Sequence, residues 1–222
     1  MKRIFLTLGL VGLLIPHLRG QQLDWGFRWG ANYTKLTPKQ SDWQSEGHQL
    51  NYAFGLYFHS KRSKSNHFIQ PEITISKRGG SIRYMGETKL EQNRYKLVSG
   101  NVTHRNAYYA DVALTIGYYL PNSKIRLYAG PMFSYKVGAS QKGEGLADAW
   151  FSQALAPVVI NYYVGAGFNT GRLGFDLRYE RNFSSMGEIL PNGHTLNDTV
   201  QNIQFTLSYQ LNTNRGRYYI AR

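Results

Sequence analysis

With 222 residues, 26 Lys and Arg against 13 Asp and Glu, and a formal net charge of +13, the chain is strongly basic and sized for one domain. Its lack of cysteine excludes disulfides and the lipid-bearing cysteine of a bacterial lipoprotein. Beyond residue 22 no window shows the 3.6-residue apolar repeat of a helix or 18 consecutive apolar residues, which excludes membrane-crossing helices.

In chain order, Met1-Lys2-Arg3 and the apolar run Ile4 to Ile15 have the layout of a secretory signal. The run is shorter than the roughly 20 residues of a spanning helix, and Pro16 with Arg19 ends it. A signal over residues 1–20, cleaved after Gly20, is therefore expected. Removing Lys2, Arg3 and Arg19 leaves 23 basic residues against 13 acidic, so the mature chain still carries +10. That charge calls for anionic partners, and an exported chain meets lipid phosphates and lipopolysaccharide rather than nucleic acid.

From Leu23 onward, eight stretches alternate strictly with a period of two, which is the pattern of β-strands. One face reads Leu23, Trp25, Phe27, Trp29, Ala31 and Tyr33 in the first, Leu50 to Phe58 in the second, and Ile69, Pro71, Ile73 and Ile75 in the third. It continues from Tyr108 to Leu120, Ile125 to Val137, Val158 to Phe168, Leu173 to Tyr179, and Ile203 to Leu211. In a chain with 18% charged residues, none of these positions is charged. A charge facing hydrocarbon at mid-depth costs about 2–4 kcal/mol, so a bilayer selects such a face. Trp25, Phe58, Tyr108, Tyr118, Phe168 and Tyr209 stand near strand ends, where interfacial aromatic girdles form.

The opposite face carries Asp24, Arg28, Glu72, Asp111, Arg126, Lys136, Asp176, Arg178 and Glu180 among small residues such as Gly26, Gly30, Gly55, Gly117, Gly165 and Gly167. An eight-stranded barrel is only wide enough to be filled by side chains. The near balance of charge predicts a structural network of paired charges in the lumen, with Arg28, Glu72, Asp111, Arg126, Asp176, Arg178 and Glu180 at its centre. Connections over 37–49, 78–104, 138–157 and 184–199 are long, whereas 60–67, 121–124 and 170–172 are short. That alternation matches the outer loops and periplasmic turns of membrane barrels. Pro71 and Pro131 cannot donate to a ladder and predict a bulge or strand offset.

Gln70-Pro71-Glu72-Ile73-Thr74-Ile75-Ser76-Lys77-Arg78-Gly79-Gly80 resembles the signature segment of the PorT-like outer-membrane β-barrel family. Trp29-Gly30-Ala31-Asn32-Tyr33, Tyr128-Ala129-Gly130-Pro131, Val164-Gly165-Ala166-Gly167-Phe168 and Leu177-Arg178-Tyr179 extend the resemblance over nearly all of the mature chain. It implies an outer-membrane barrel, with some relatives linked to protein export and surface motility, and no defined mechanism.

The expectation is thus an all-β, closed, eight-stranded antiparallel up-and-down transmembrane barrel over 21–211, with a filled polar lumen and both ends in the periplasm of a Gram-negative cell. A basic tail over 212–222 follows it. The expected role is structural or interaction-based, in a monomeric barrel, with no enzyme activity, cofactor or metal. Partners expected are outer-membrane lipid, lipopolysaccharide and envelope or secretion proteins. The second outer loop offers Arg83, Lys89, Arg94, Lys96 and Arg105 for lipopolysaccharide phosphates. An enzyme at the outer rim would draw on His48, His104 and His194, on Asp42, Glu46 and Asp198, and on Ser99 or Ser185, but no spacing among them marks a catalytic set. A soluble lipocalin-like carrier would turn the apolar face inward around a ligand.

Overall fold

A computed structural model describes residues 22–39, 41, 43–61, 65–86, 89–91, 95–97, 100, 102–142, 155–184 and 198–212. The signal expected over 1–20 and the tail beyond Asn212 lie outside them. Eight long strands carry the fold: β1 (Gln22–Pro38), β2 (His48–Lys61), β3 (His67–Tyr84), β4 (Val102–Tyr119), β5 (Ile125–Lys142), β6 (Val158–Thr170), β7 (Leu173–Asn182) and β8 (Asp198–Asn212). Each pairs antiparallel with its neighbours in sequence, and β1 also pairs with β8, so the pairings run round in a ring. The three-residue strand Trp43–Ser45 adds to the end of β3 as the ninth member of this sheet. Lys89–Glu91 and Tyr95–Leu97 pair separately as a small hairpin.

The ends of the ring differ. At the lower end Gly171 and Arg172 alone join β6 to β7, and Gly171 sits at φ 60°, the positive value a two-residue hairpin demands of its first central residue. At the upper end the connections are long, but less so than the hydrophobic pattern predicts. β3 runs on to Tyr84 and β4 begins at Val102, so both ends of the segment 78–104 expected as loop, 78–84 and 102–104, are strand. The alternation continues there through Ile82 and Tyr84, but its apolar side chains turn inward, because above a bilayer the outward face does not have to be apolar.

The two strand prolines do not shift register. Tyr57 pairs with Glu72 and Ser60 with Ile69, the same register on either side of Pro71, with the β2 ladder interrupted only between them. Pro131 likewise interrupts the β4–β5 ladder between the Ala113–Met132 and Ile116–Ala129 pairs. Each proline keeps its partner on the other side, Leu114 for Pro71 and Tyr162 for Pro131. The missing N–H thus opens one ladder locally, and the expected offset does not occur. Shifts of register fall elsewhere, at Trp25/Gly26 and Tyr108/Tyr109.

Cross-strand register lines the outward side chains up in rows. Phe168, Phe175, Leu207, Trp29 and Phe54 form one row across β6, β7, β8, β1 and β2. Ala166, Leu177, Phe205, Ala31 and Tyr52 form the next, and Val164, Tyr179, Ile203, Tyr33 and Leu50 the one above. Most of these side chains are exposed, Phe205 by 52%. From Leu23 to Tyr33 the apolar face of β1 covers about 33 Å of strand, which a tilt of about 40° reduces to a band about 25 Å tall, the height of a membrane barrel's apolar belt.

Candidate functional site

The alternation that turns apolar side chains outward turns charged ones inward, and the register brings them together. Glu72 of β3 is central. Arg28 of β1 ion-pairs with it, Arg178 of β7 approaches its Oε2 at 2.9 Å, and Gln70 and Thr115 donate to its Oε1 at 2.8 and 2.9 Å. Arg178 also reaches Glu180 at 2.5 Å and stacks its guanidinium over Tyr163. Arg78 pairs with Asp111 at 2.7 Å and donates to Ser134 at 2.9 Å, while Arg126 forks onto both oxygens of Asp176 at 2.8 and 2.7 Å. Toward the upper end Arg105 meets Asp198 at 3.2 Å and lies over the Trp43 ring. Five arginines and five carboxylates are all buried, so their formal charges cancel inside the ring.

Planar, always-charged guanidiniums suit this interior, because a fork can serve two carboxylates or a carboxylate and a hydroxyl at once. Glycine makes the room. A methyl group on Gly167 would overlap the Asp176 carboxylate and crowd Arg126. Amides complete the network: Asn202 donates to Glu180 at 2.7 Å and Gln204 to Asn32 at 2.5 Å.

Above the charges, Leu36, Ile82, Ala107, Tyr109, Leu155, Val159 and Val200 form an apolar plug, against which Trp43 and Ala139 pack. Below them a cavity of about 490 Å³ opens at the lower end, lined by Asp24, His59, Lys61, Arg126, Arg172 and Asp176 among others. Among the described residues, the interior is therefore stoppered above and open at its lower mouth.

All seven residues expected in the lumen network, Arg28, Glu72, Asp111, Arg126, Asp176, Arg178 and Glu180, lie buried in it. Three partners escaped the sequence reading. Arg78, Arg105 and Asp198 fall where hydrophobic alternation has ended, and the only signal for them was the continued period of two through Ile82 and Tyr84. Arg105, expected on an outer loop facing lipopolysaccharide, is 2% exposed and held by Asp198, so it is not available there. Lys136, expected inward, donates to the carbonyl of Leu155. Arg83 is exposed and pairs with Glu46 at 2.5 Å. Lys89 and Lys96 belong to the small hairpin, and Arg94 lies outside the described residues.

Among the described residues, the rim candidates do not come together as a catalytic set. His48 stacks on Tyr33 with ring centroids 4.4 Å apart, and His104 shares a hydrogen bond of 2.7 Å with Ser81. Asp198 is committed to Arg105, and Glu46 to Arg83. Asp42, Ser99, Ser185 and His194 lie outside the described residues. No group of three His, Cys, Asp or Glu side chains that could hold a metal occurs among the described residues.

An apolar exterior around a charged, stoppered interior reverses the layout of a water-soluble carrier and defines a protein that meets lipid with its strands. The chain belongs to the outer membrane protein beta-barrel domain family, whose profile matches residues 19–188. Among solved structures it is similar in fold to Neisserial surface protein A (NspA), at 10% sequence identity and a TM-score of 0.50 over 84% of this chain and 97% of that one. It also matches Ail, the attachment invasion locus protein of Yersinia pestis, at 10% identity and a TM-score of 0.41 over 86% of this chain and 99% of that one. No curated protein sequence matches.

Proposed function

We propose that the chain is a non-conducting, eight-stranded closed barrel of the outer membrane that serves as a structural or interaction component rather than as a pore or an enzyme. Its upper connections face the cell exterior, and its termini the periplasm. The ring of eight mutually paired long strands supports this reading, with Trp43–Ser45 as an annex at the upper rim. The observation that carries it is the interior itself. Seven buried arginine–carboxylate contacts among the described residues and an apolar plug occupy the volume that a channel would need. Function then resides in the surfaces outside the ring, where Arg83 and the basic hairpin at Lys89–Leu97 stand. The PorT-like motif order supports a link to protein export or surface functions, which a deletion strain with normal export would contradict.

Refolded protein added to a planar lipid bilayer tests the sealed interior. Insertion without conductance steps is expected, and stable steps of pore size would refute the reading.

A further inference from the structure

Directly above the apolar rows, one register step along the strands, the outward row changes character. It reads Tyr162, Arg181, Gln201, Lys35 and His48 across β6, β7, β8, β1 and β2. Successive outward rows are about 7 Å apart along a strand, so cationic side chains stand at the upper edge of the belt. On the same face a cleft of about 240 Å³ is lined by Lys39, Tyr162, Arg181, Asn182, Phe183, Ser184 and Thr199. Its wall is fixed. The amides of Phe183 and Ser184 donate to the Ile160 carbonyl at 2.8 and 3.3 Å, Ser184 Oγ accepts from the Ile160 amide at 2.9 Å, and Asn182 Oδ1 accepts from the Val200 amide at 2.8 Å.

The chemistry of the cleft is one-sided. Among the described residues it contains no carboxylate, and Lys35, Lys39 and Arg181 have no acidic partner. Asp198, whose backbone adjoins the cleft, turns its carboxylate inward to Arg105. Phe183 is 83% exposed at the same level, and Tyr162 closes the lower side, above the wholly apolar row of Val164 and Tyr179. A cationic cleft with aromatic walls at the top of a lipid-facing belt matches a ligand with an anionic head and acyl chains below it.

We propose that this cleft, with Lys35 beside it, binds a phosphate of an outer-leaflet glycolipid of the lipid A type. Arg181 forks onto the phosphate, Lys39 and Lys35 neutralise it, and Phe183 and Tyr162 pack against the sugar and the first methylenes of the acyl chains. This rests on the outer-membrane orientation proposed above. The site shares no residue with the paired strands Lys89–Glu91 and Tyr95–Leu97.

Native mass spectrometry of the full refolded barrel tests the assignment, with bisphosphorylated lipid A, its dephosphorylated form and inorganic phosphate as probes. The wild-type protein is expected to prefer the bisphosphorylated lipid. The variant carrying Lys35→Gln, Lys39→Gln and Arg181→Gln should lose about tenfold or more of that affinity, the scale of a charge-assisted contact. Phe183→Ala should weaken both lipids alike, and Lys89→Gln with Lys96→Gln should keep the preference. An unchanged preference in the triple variant overturns the site, and so does complete displacement of the lipid by inorganic phosphate, which would leave only an anion site. Faster migration of unheated protein on gels reports barrel formation independently. Its absence overturns the barrel reading and the site together, whereas a folded barrel lacking the preference overturns the site alone.

Discussion

At the scale of single residues, Glu72 bears the greatest burden. It accepts from Arg28, Arg178, Gln70 and Thr115 while only 2% exposed, so its removal leaves two buried guanidiniums facing each other. Breaking a buried pair from one side costs about 3–5 kcal/mol, and Glu72→Gln is expected to destabilise the folded protein by that amount in urea titrations in lipid vesicles. Arg178 keeps Glu180 in that variant, but Arg28 keeps only its hydrogen bond to Thr206. Adding Arg28→Gln should therefore recover at least half of the loss. If the double variant were less stable than Glu72→Gln, Arg28 would have compensation that the observed contacts do not provide.

At the scale of the strands, the outward rows make a prediction that depends on depth. Leu177 lies in the middle of the belt and Leu50 in its uppermost apolar row. Leu177→Arg should cost about 2–4 kcal/mol of folding free energy in bilayers, and Leu50→Arg about 0–1 kcal/mol. Equal effects would mean that the two rows do not sit at different depths.

The strands themselves were legible in the sequence because a bilayer imposes a strict rule on one face, which the clean run from Leu23 to Tyr33 displays. The inward charges were legible for the complementary reason. Alternation at Ile82, Tyr84 and Leu90 pointed to strands continuing above the membrane, but the ion pairs of that upper third escaped. There β3 and β4 rise above the apolar rows, and Arg78 and Arg105 look like loop cations, yet their guanidiniums reach Asp111 and Asp198 inside the ring. The cationic cleft escaped as well, since Lys39, Arg181 and Thr199 are distant in sequence and meet only because β1, β8 and β7 are neighbours in the ring.

At the scale of the whole molecule, the apolar and polar surfaces exchange the places they have in a water-soluble protein. Arg178 and Glu72 are 2% exposed inside, and Phe205 is 52% exposed outside. The ring gives every long strand two partners, so backbone hydrogen bonding needs no water at mid-belt. The absence of cysteine allows single thiols to report on this arrangement without background. Gln204 and Phe205 are adjacent in β8 and point to opposite faces, Gln204 toward Asn32 inside and Phe205 away from the interior. The decisive measurement is the labelling of Gln204→Cys and Phe205→Cys in reconstituted vesicles by a lipid-soluble thiol reagent. Strong reaction at 205 with protection at 204 is the predicted outcome. Reaction at 204 with protection at 205 would show that the apolar rows face inward and would contradict the membrane assignment.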